Sequence, residues 1–106
     1  NKLEFGDLEL NPETMRVKRD GDDIHLGARE FKLLSLLIER PERVFSRDQL
    51  LDLIWGHGVY VEDRTVDVHM SRLRSALNKR SDGGPDRPDI IRTVRGAGYA
   101  LTKNIK

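Results

Sequence analysis

Asp63-Arg64-Thr65-Val66-Asp67-Val68-His69-Met70-Ser71-Arg72-Leu73-Arg74-Ser75-Ala76-Leu77 is the stretch whose periodicity decides the fold. At about 100° per residue, Val66, Met70, Leu73 and Leu77 fall within about 60° of one another. That narrow apolar stripe predicts a helix from about Arg64 to Lys79, docked along one face. Arg64, Ser71 and Ser75 lie on the opposite face, flanked by Arg72, Arg74, Asp67 and His69. On periodicity alone such a helix is more often a solvated surface helix than a reading head. Its neighbours in the chain change the odds.

On the N-terminal side, Ser46-Arg47-Asp48-Gln49 fits a capping box, with Ser at the cap and Gln three residues on. It opens a short helix carrying Leu50, Leu51 and Ile54 that ends near Trp55-Gly56. Residues His57 to Asp63 connect the two helices, loop-forming at first and then apolar at Val59, Tyr60 and Val61. On the C-terminal side, Ser81-Asp82-Gly83-Gly84-Pro85 is polar and rich in helix breakers, a connection expected to be mobile. Ile90 to Arg95 and Tyr99 to Thr102 then flank Gly96-Ala97-Gly98, the pattern of a β-hairpin with its turn residues in place. Arg92 and Arg95 make that hairpin basic.

Further upstream, Phe31, Leu34, Leu37 and Ile38 recur at helical spacing from Ala28, Leu33 and Leu36 widen the stripe, and Pro41 closes the segment. So broad an apolar surface belongs to a central core helix. Residues 1–26 carry the period-two pairs Leu3/Phe5, Leu8/Leu10, Met15/Val17 and Ile24/Leu26. Gly6-Asp7, Asn11-Pro12-Glu13 and Asp20-Gly21-Asp22 separate them, so the segment reads as an antiparallel meander of short strands. The fold class is therefore α+β: an N-terminal four-stranded antiparallel sheet, three helices and a C-terminal β-hairpin wing, the order of a winged helix-turn-helix. A helix of this kind enters the major groove of B-DNA, and an adjacent hairpin lays basic side chains on the backbone or in the minor groove.

Composition agrees once it is divided. The 106 residues carry a net charge of +1, but residues 1–63 hold 9 basic and 14 acidic side chains, against 10 and 4 in residues 64–106. Local potential rather than the total governs encounter with a polyanion. There is no cysteine, which excludes disulfides, thiolate metal sites and cysteine nucleophiles. His25, His57 and His69 share no helical i, i+4 spacing, so neither a metal nor a cofactor is expected. No nucleophile elbow or phosphate-cradling glycine motif points to an enzyme. No apolar run approaches the roughly 18 residues of a membrane span, and no signal-peptide pattern is present. The chain starts without Met, as expected of one domain from a longer protein. The rival reading is a winged-helix module that binds protein and never touches DNA; the arginines on the third helix and the wing weigh against it.

Asp63 to Arg74, followed by Thr93-Val94-Arg95-Gly96-Ala97-Gly98-Tyr99, resembles the effector domains of the OmpR/PhoB family of bacterial response regulators. The resemblance extends to Glu30-Phe31-Lys32-Leu33-Leu34 and to Val44-Phe45-Ser46-Arg47-Asp48-Gln49-Leu50-Leu51 before Trp55-Gly56, and covers nearly the whole chain in order. Tyr60-Val61-Glu62-Asp63 and Pro41-Glu42-Arg43-Val44 are most similar to the branch that governs the phosphate-starvation regulon.

The resemblance implies that residues 1–106 are the cytoplasmic output domain of a two-component regulator, with the phosphorylatable receiver domain absent from this chain. Phosphorylation by a sensor kinase would pair receivers, placing two output domains head to tail on direct-repeat promoter sites. It places Arg64, Thr65, Asp67, His69, Ser71, Arg72 and Arg74 on a recognition helix at about 64–79. A guanidinium fork like that of Arg72 pairs bidentately with guanine. Asp67 has two options, accepting from a cytosine or orienting an arginine. Arg64, His69 and Arg74 suit phosphates, which position without specifying. Thr93, Arg95 and Gly96 lie on the wing at about 90–102, with Arg95 in the minor groove. Arg47 and Trp55 are further candidates for the DNA backbone.

The family offers the loop between the second and third helices to RNA polymerase, in the phosphate branch to its sigma subunit. Trp55, Gly56, Val61, Glu62 and Asp63 match those positions, although Tyr60 and Val61 could equally be core and Asp63 a helix cap. The chain departs from the family at several points. Ser71 stands where relatives often carry a basic residue, and Ala97 and Ala100 trim the polarity of the wing. Gly27 stands where a Thr cap is usual, a loss of a few tenths of a kcal/mol by cap preference. No role follows for the loop 79–89.

Overall fold

The chain begins as a meander of four strands, β1 (Leu3–Phe5), β2 (Leu8–Asn11), β3 (Arg16–Arg19) and β4 (Asp22–Ile24), paired antiparallel in sequence order. This computed structural model describes residues 2–56, 58 and 61–103. Register places Leu3 opposite Leu10, Leu10 opposite Val17, and Val17 opposite Ile24, so one face of the sheet is apolar. Met15 departs from the expected pairing with Val17. It occupies the β2–β3 turn at φ +55° and is exposed, because the turn needs a left-handed residue there.

Three helices follow. α1 (Ala28–Glu39) buries Phe31, Leu33, Leu34, Leu37 and Ile38 and packs against α3, β1 and the hairpin. Its cap, Gly27, offers no side chain, and the Glu30 carboxylate occupies that space instead: a Cβ at position 27 would lie 2.4 Å from Glu30 Oε1. A carboxylate in the first turn complements the positive end of the helix dipole. α2 (Arg47–Leu50) starts with the expected capping box, in which Ser46 Oγ accepts from the Gln49 amide and Gln49 Oε1 accepts from the Ser46 amide. Beyond it, Leu51–Trp55 widens into a π-helical turn that Gly56 ends at φ +95°.

α3 (Asp63–Asn78) is capped by Glu62 rather than Asp63, without a side-chain cap bond; Asp63 stands in the first turn, where its charge suits the dipole. Val66, Met70, Leu73 and Leu77 are fully buried, each contributing about 1.5–3 kcal/mol by removal from water.

The hairpin pairs β5 (Ile91–Val94) with β6 (Gly98–Leu101), and Phe45 adds a further bridge through mutual hydrogen bonds with Tyr99 of 2.8 and 2.9 Å. That bridge explains Gly98, whose φ is +141°. A Cβ there would lie 1.9 Å from the Phe45 carbonyl oxygen.

The connection from 79 to 89, whose stretch 81–85 is expected to be mobile, is anchored at its C-terminal end. Arg87 is buried among the carbonyls that end α3, and its amide donates to the Asn78 carbonyl at 2.7 Å. Among the described residues no helix is long and apolar enough to cross a membrane.

Candidate nucleic-acid interface

α3 shows solvent one continuous face. Arg64, Val68, Ser71, Arg72, Ser75 and Lys79 are all exposed, and at helical spacing they span about 100° opposite the buried stripe. Among the described residues nothing engages the guanidinium of Arg64 or Arg72. Val68 is the residue that the sequence reading passed over. It is 47% exposed, four residues from both Arg64 and Arg72, and that spacing is the signal that places it on the same face.

The other expected members of the helix turn toward the protein. Asp67 accepts a hydrogen bond from Arg47 Nε at 2.7 Å and another from the Tyr99 hydroxyl, tying α2, α3 and β6 together at one carboxylate. In this structure Asp67 orients Arg47. Burial opposes ionisation of Asp67, but the Tyr99 and Arg47 hydrogen bonds and the Arg47 charge outweigh it and hold the carboxyl below its ordinary range. Burial, reinforced by the Asp67 bond, pushes the Tyr99 phenol up. His69 bonds through Nδ1 to the Glu30 carboxylate and packs its ring 5.2 Å from that of Trp55. Trp55 in turn lies 5.1 Å from the Arg29 guanidinium, which donates to the Ile54 carbonyl at 2.8 Å. Thr65 is half-buried.

Arg74 spends Nη2 on the hairpin. Its Nη2 reaches the Ile91 carbonyl at 2.7 Å and Thr93 Oγ1 at 2.5 Å, and its Nε pairs with Asp89 at 3.4 Å. Arg47 and Arg74 each lie 5.7 Å from the Tyr99 ring, a favourable cation–π distance. The hairpin is thereby fastened alongside α3, with Thr93, Arg95 and Gly96 exposed and Arg95 unengaged among the described residues. Gly96 takes φ +76° in a turn closed by the Ala97 amide on the Val94 carbonyl at 2.9 Å.

The segment between α2 and α3 leaves Gly56, Glu62 and Asp63 exposed and Trp55 and Val61 half-buried, beside an exposed Leu53. His57, Val59 and Tyr60 lie outside the described residues. Acidic and apolar surface therefore alternate along the described part of this segment.

A helix docked by one apolar stripe, preceded by a second helix and flanked by a basic hairpin, defines the winged helix-turn-helix class. Residues 21–101 match the family described as "Transcriptional regulatory protein, C terminal". The phosphate regulon transcriptional regulatory protein PhoB of Rhizobium meliloti is 57% identical over 99 residues, which are 93% of this chain and 41% of that protein. The DNA-binding domain of Klebsiella pneumoniae RstA, solved in complex with the RstA box, superposes with a TM-score of 0.81 at 31% identity, covering 96% of this chain and 97% of that one. The Thermotoga maritima response regulator DrrB, an OmpR/PhoB homolog, gives 0.80 at 35% identity, over 95% of this chain and 44% of its own. The chain belongs to the OmpR/PhoB family of response regulators, as its DNA-binding domain, and spans about two fifths of the curated relative's length.

Proposed function

We propose that this chain is the output half of a two-component regulator that reads direct-repeat promoter sites in double-stranded DNA with α3 in the major groove and the β5–β6 hairpin in the minor groove. The observation that carries the reading is the single exposed face of α3, with the unengaged Arg64 and Arg72 and the apolar Val68, set beside the unengaged Arg95 on the hairpin. Arg72 presents its fork to guanine, Val68 packs on a thymine methyl, and Arg64 meets a phosphate. Ser71 and Ser75 are small enough to let the helix approach the bases closely. Arg95 enters a narrow A·T-rich minor groove. Arg47, His69 and Arg74 act chiefly by holding other groups, since each already has a protein partner.

The similarity to PhoB supports phosphate-starvation genes as targets. The acidic and apolar loop of Trp55, Gly56, Val61, Glu62 and Asp63 suits a basic helix of the RNA polymerase sigma subunit. A receiver domain elsewhere in the full protein would take phosphate from a sensor kinase and pair two copies head to tail. Selection of bound sequences from random duplexes tests the reading: a direct repeat with an A·T-rich spacer is expected, and recovery of no preferred sequence would overturn it.

A further inference from the structure

Arg19 is a buried charged residue, 2% exposed, at the end of β3. Its position follows from strand alternation, since Val17 and Arg19 share the face turned to the core. Nothing about DNA contact requires an arginine there, and burying its charge is costly unless every donor is used. Four of its five N–H donors are used. Nε pairs with Asp7 at 3.2 Å, Nη1 donates to the Leu77 carbonyl at 3.0 Å and to Asn78 Oδ1 at 2.7 Å, and Nη2 donates to the Pro88 carbonyl at 2.6 Å.

Of these four acceptors, two lie at the last turn of α3, and Pro88 lies three residues before β5 begins. Arg87 completes the clasp from the other side. Its amide and Nη1 bond the Asn78 and Lys79 carbonyls at 2.7 and 3.0 Å, and its guanidinium is held by Asp22 at the start of β4. Three successive carbonyls that end α3 are thus satisfied by two arginines, and cations suit that end of the helix dipole.

We propose that Arg19 is a positioning residue for DNA recognition, holding the C-terminal end of α3 and the start of the hairpin at a fixed separation so that both enter neighbouring grooves together. The proposal rests on α3 and the hairpin being the DNA interface, and it gives the N-terminal sheet and the 79–89 connection a shared role. Arg74 fastens the hairpin to α3 further along, at Ile91 and Thr93, so the clasp at Pro88 fixes a second point and removes a pivot. Recognition elements must be held closely, because small displacements of a supporting group are enough to loosen a site.

The test is a double-mutant cycle in the 106-residue chain on its selected DNA site, read as Kd at a temperature where circular dichroism finds every variant folded. Arg19→Met keeps the packing and removes the bonds, and should weaken specific binding by at least about fivefold, the equivalent of one base pair's contacts. Random-sequence affinity should hold. Arg95→Ala should then cost far less in the Arg19→Met background than in the wild-type chain, because the hairpin is no longer placed. Independent distant sites add to within about twofold, so an additive cycle would overturn the proposal. Should Arg19→Met not fold, Asp22→Asn, which loosens the Arg87 guanidinium and the hydrogen bonds from Ser81, runs the same cycle with the same two outcomes. If Arg95→Ala costs nothing in the wild-type chain, the reading of the wing itself fails and the clasp with it.

Discussion

Asp67 Oδ1 accepts from Arg47 Nε at 2.7 Å, and the same oxygen takes the Tyr99 hydroxyl, so a residue of α3 is spent on holding α2 and the hairpin together. Neutralising it with Asp67→Asn should cost about 1 kcal/mol or less, since the pair is partly open to solvent. The sign with pH follows from its depressed pKa. The contribution is present above the ordinary Asp value near 3.9 and is lost as pH falls through the lower folded-state value. Urea unfolding of both chains at pH 7 and in acid checks this: the difference should shrink on acidification.

Gly98 admits no side chain, because a Cβ would lie 1.9 Å from the Phe45 carbonyl oxygen at a φ of +141°. Gly98→Ala should therefore destabilise by about 2–4 kcal/mol through backbone strain and overlap together. A thermal melt should show Tm lower by about 10 °C or more. An unchanged Tm would mean that the Phe45–Tyr99 bridge is absent in solution.

Arg64 and Arg74 should separate cleanly although both are arginines of α3. Arg64→Ala should leave the melt unchanged and reduce the slope of log K against log salt by about 1, one phosphate's worth. Arg74→Ala breaks bonds to Ile91 and Thr93 and should cost about 1–2 kcal/mol of stability. Salt titrations and melts on the two variants decide between contact and support.

The loop ahead of α3 should be separable from DNA binding altogether. Val61→Ala and Glu62→Ala should bind the operator as the wild-type chain does, yet lower transcript yield in a reconstituted system with the full-length regulator, sigma subunit and polymerase. Normal yields from both would remove the polymerase role.

The fold was legible in the sequence wherever one period held over a whole element. Val66, Met70, Leu73 and Leu77 mark α3 because four residues at helical spacing admit one buried face, and Ser46 with Gln49 marks the start of α2 because the capping box is local. Residues that act at long range were not legible. Asp67 meets Arg47 and Tyr99 from 20 and 32 positions away, and Arg19 meets Leu77 and Pro88 from 58 and 69. A charged residue at the end of a strand reads as solvated by default, and only its partners show otherwise. For the same reason Arg74 and His69 look like surface cations in the sequence but face the hairpin and Glu30. Val68 was visible by spacing, but an aliphatic side chain gives no signal of a function in the sequence.

The most direct test of the account is the affinity of Arg72→Ala for the selected site and for random duplex, measured at one salt concentration. The account predicts a loss of about 1–3 kcal/mol on the selected site, relaxed preference at one base pair, and a much smaller loss on random DNA. Equal losses on both would contradict it, leaving Arg72 as a phosphate contact and the exposed face of α3 without its reading residue.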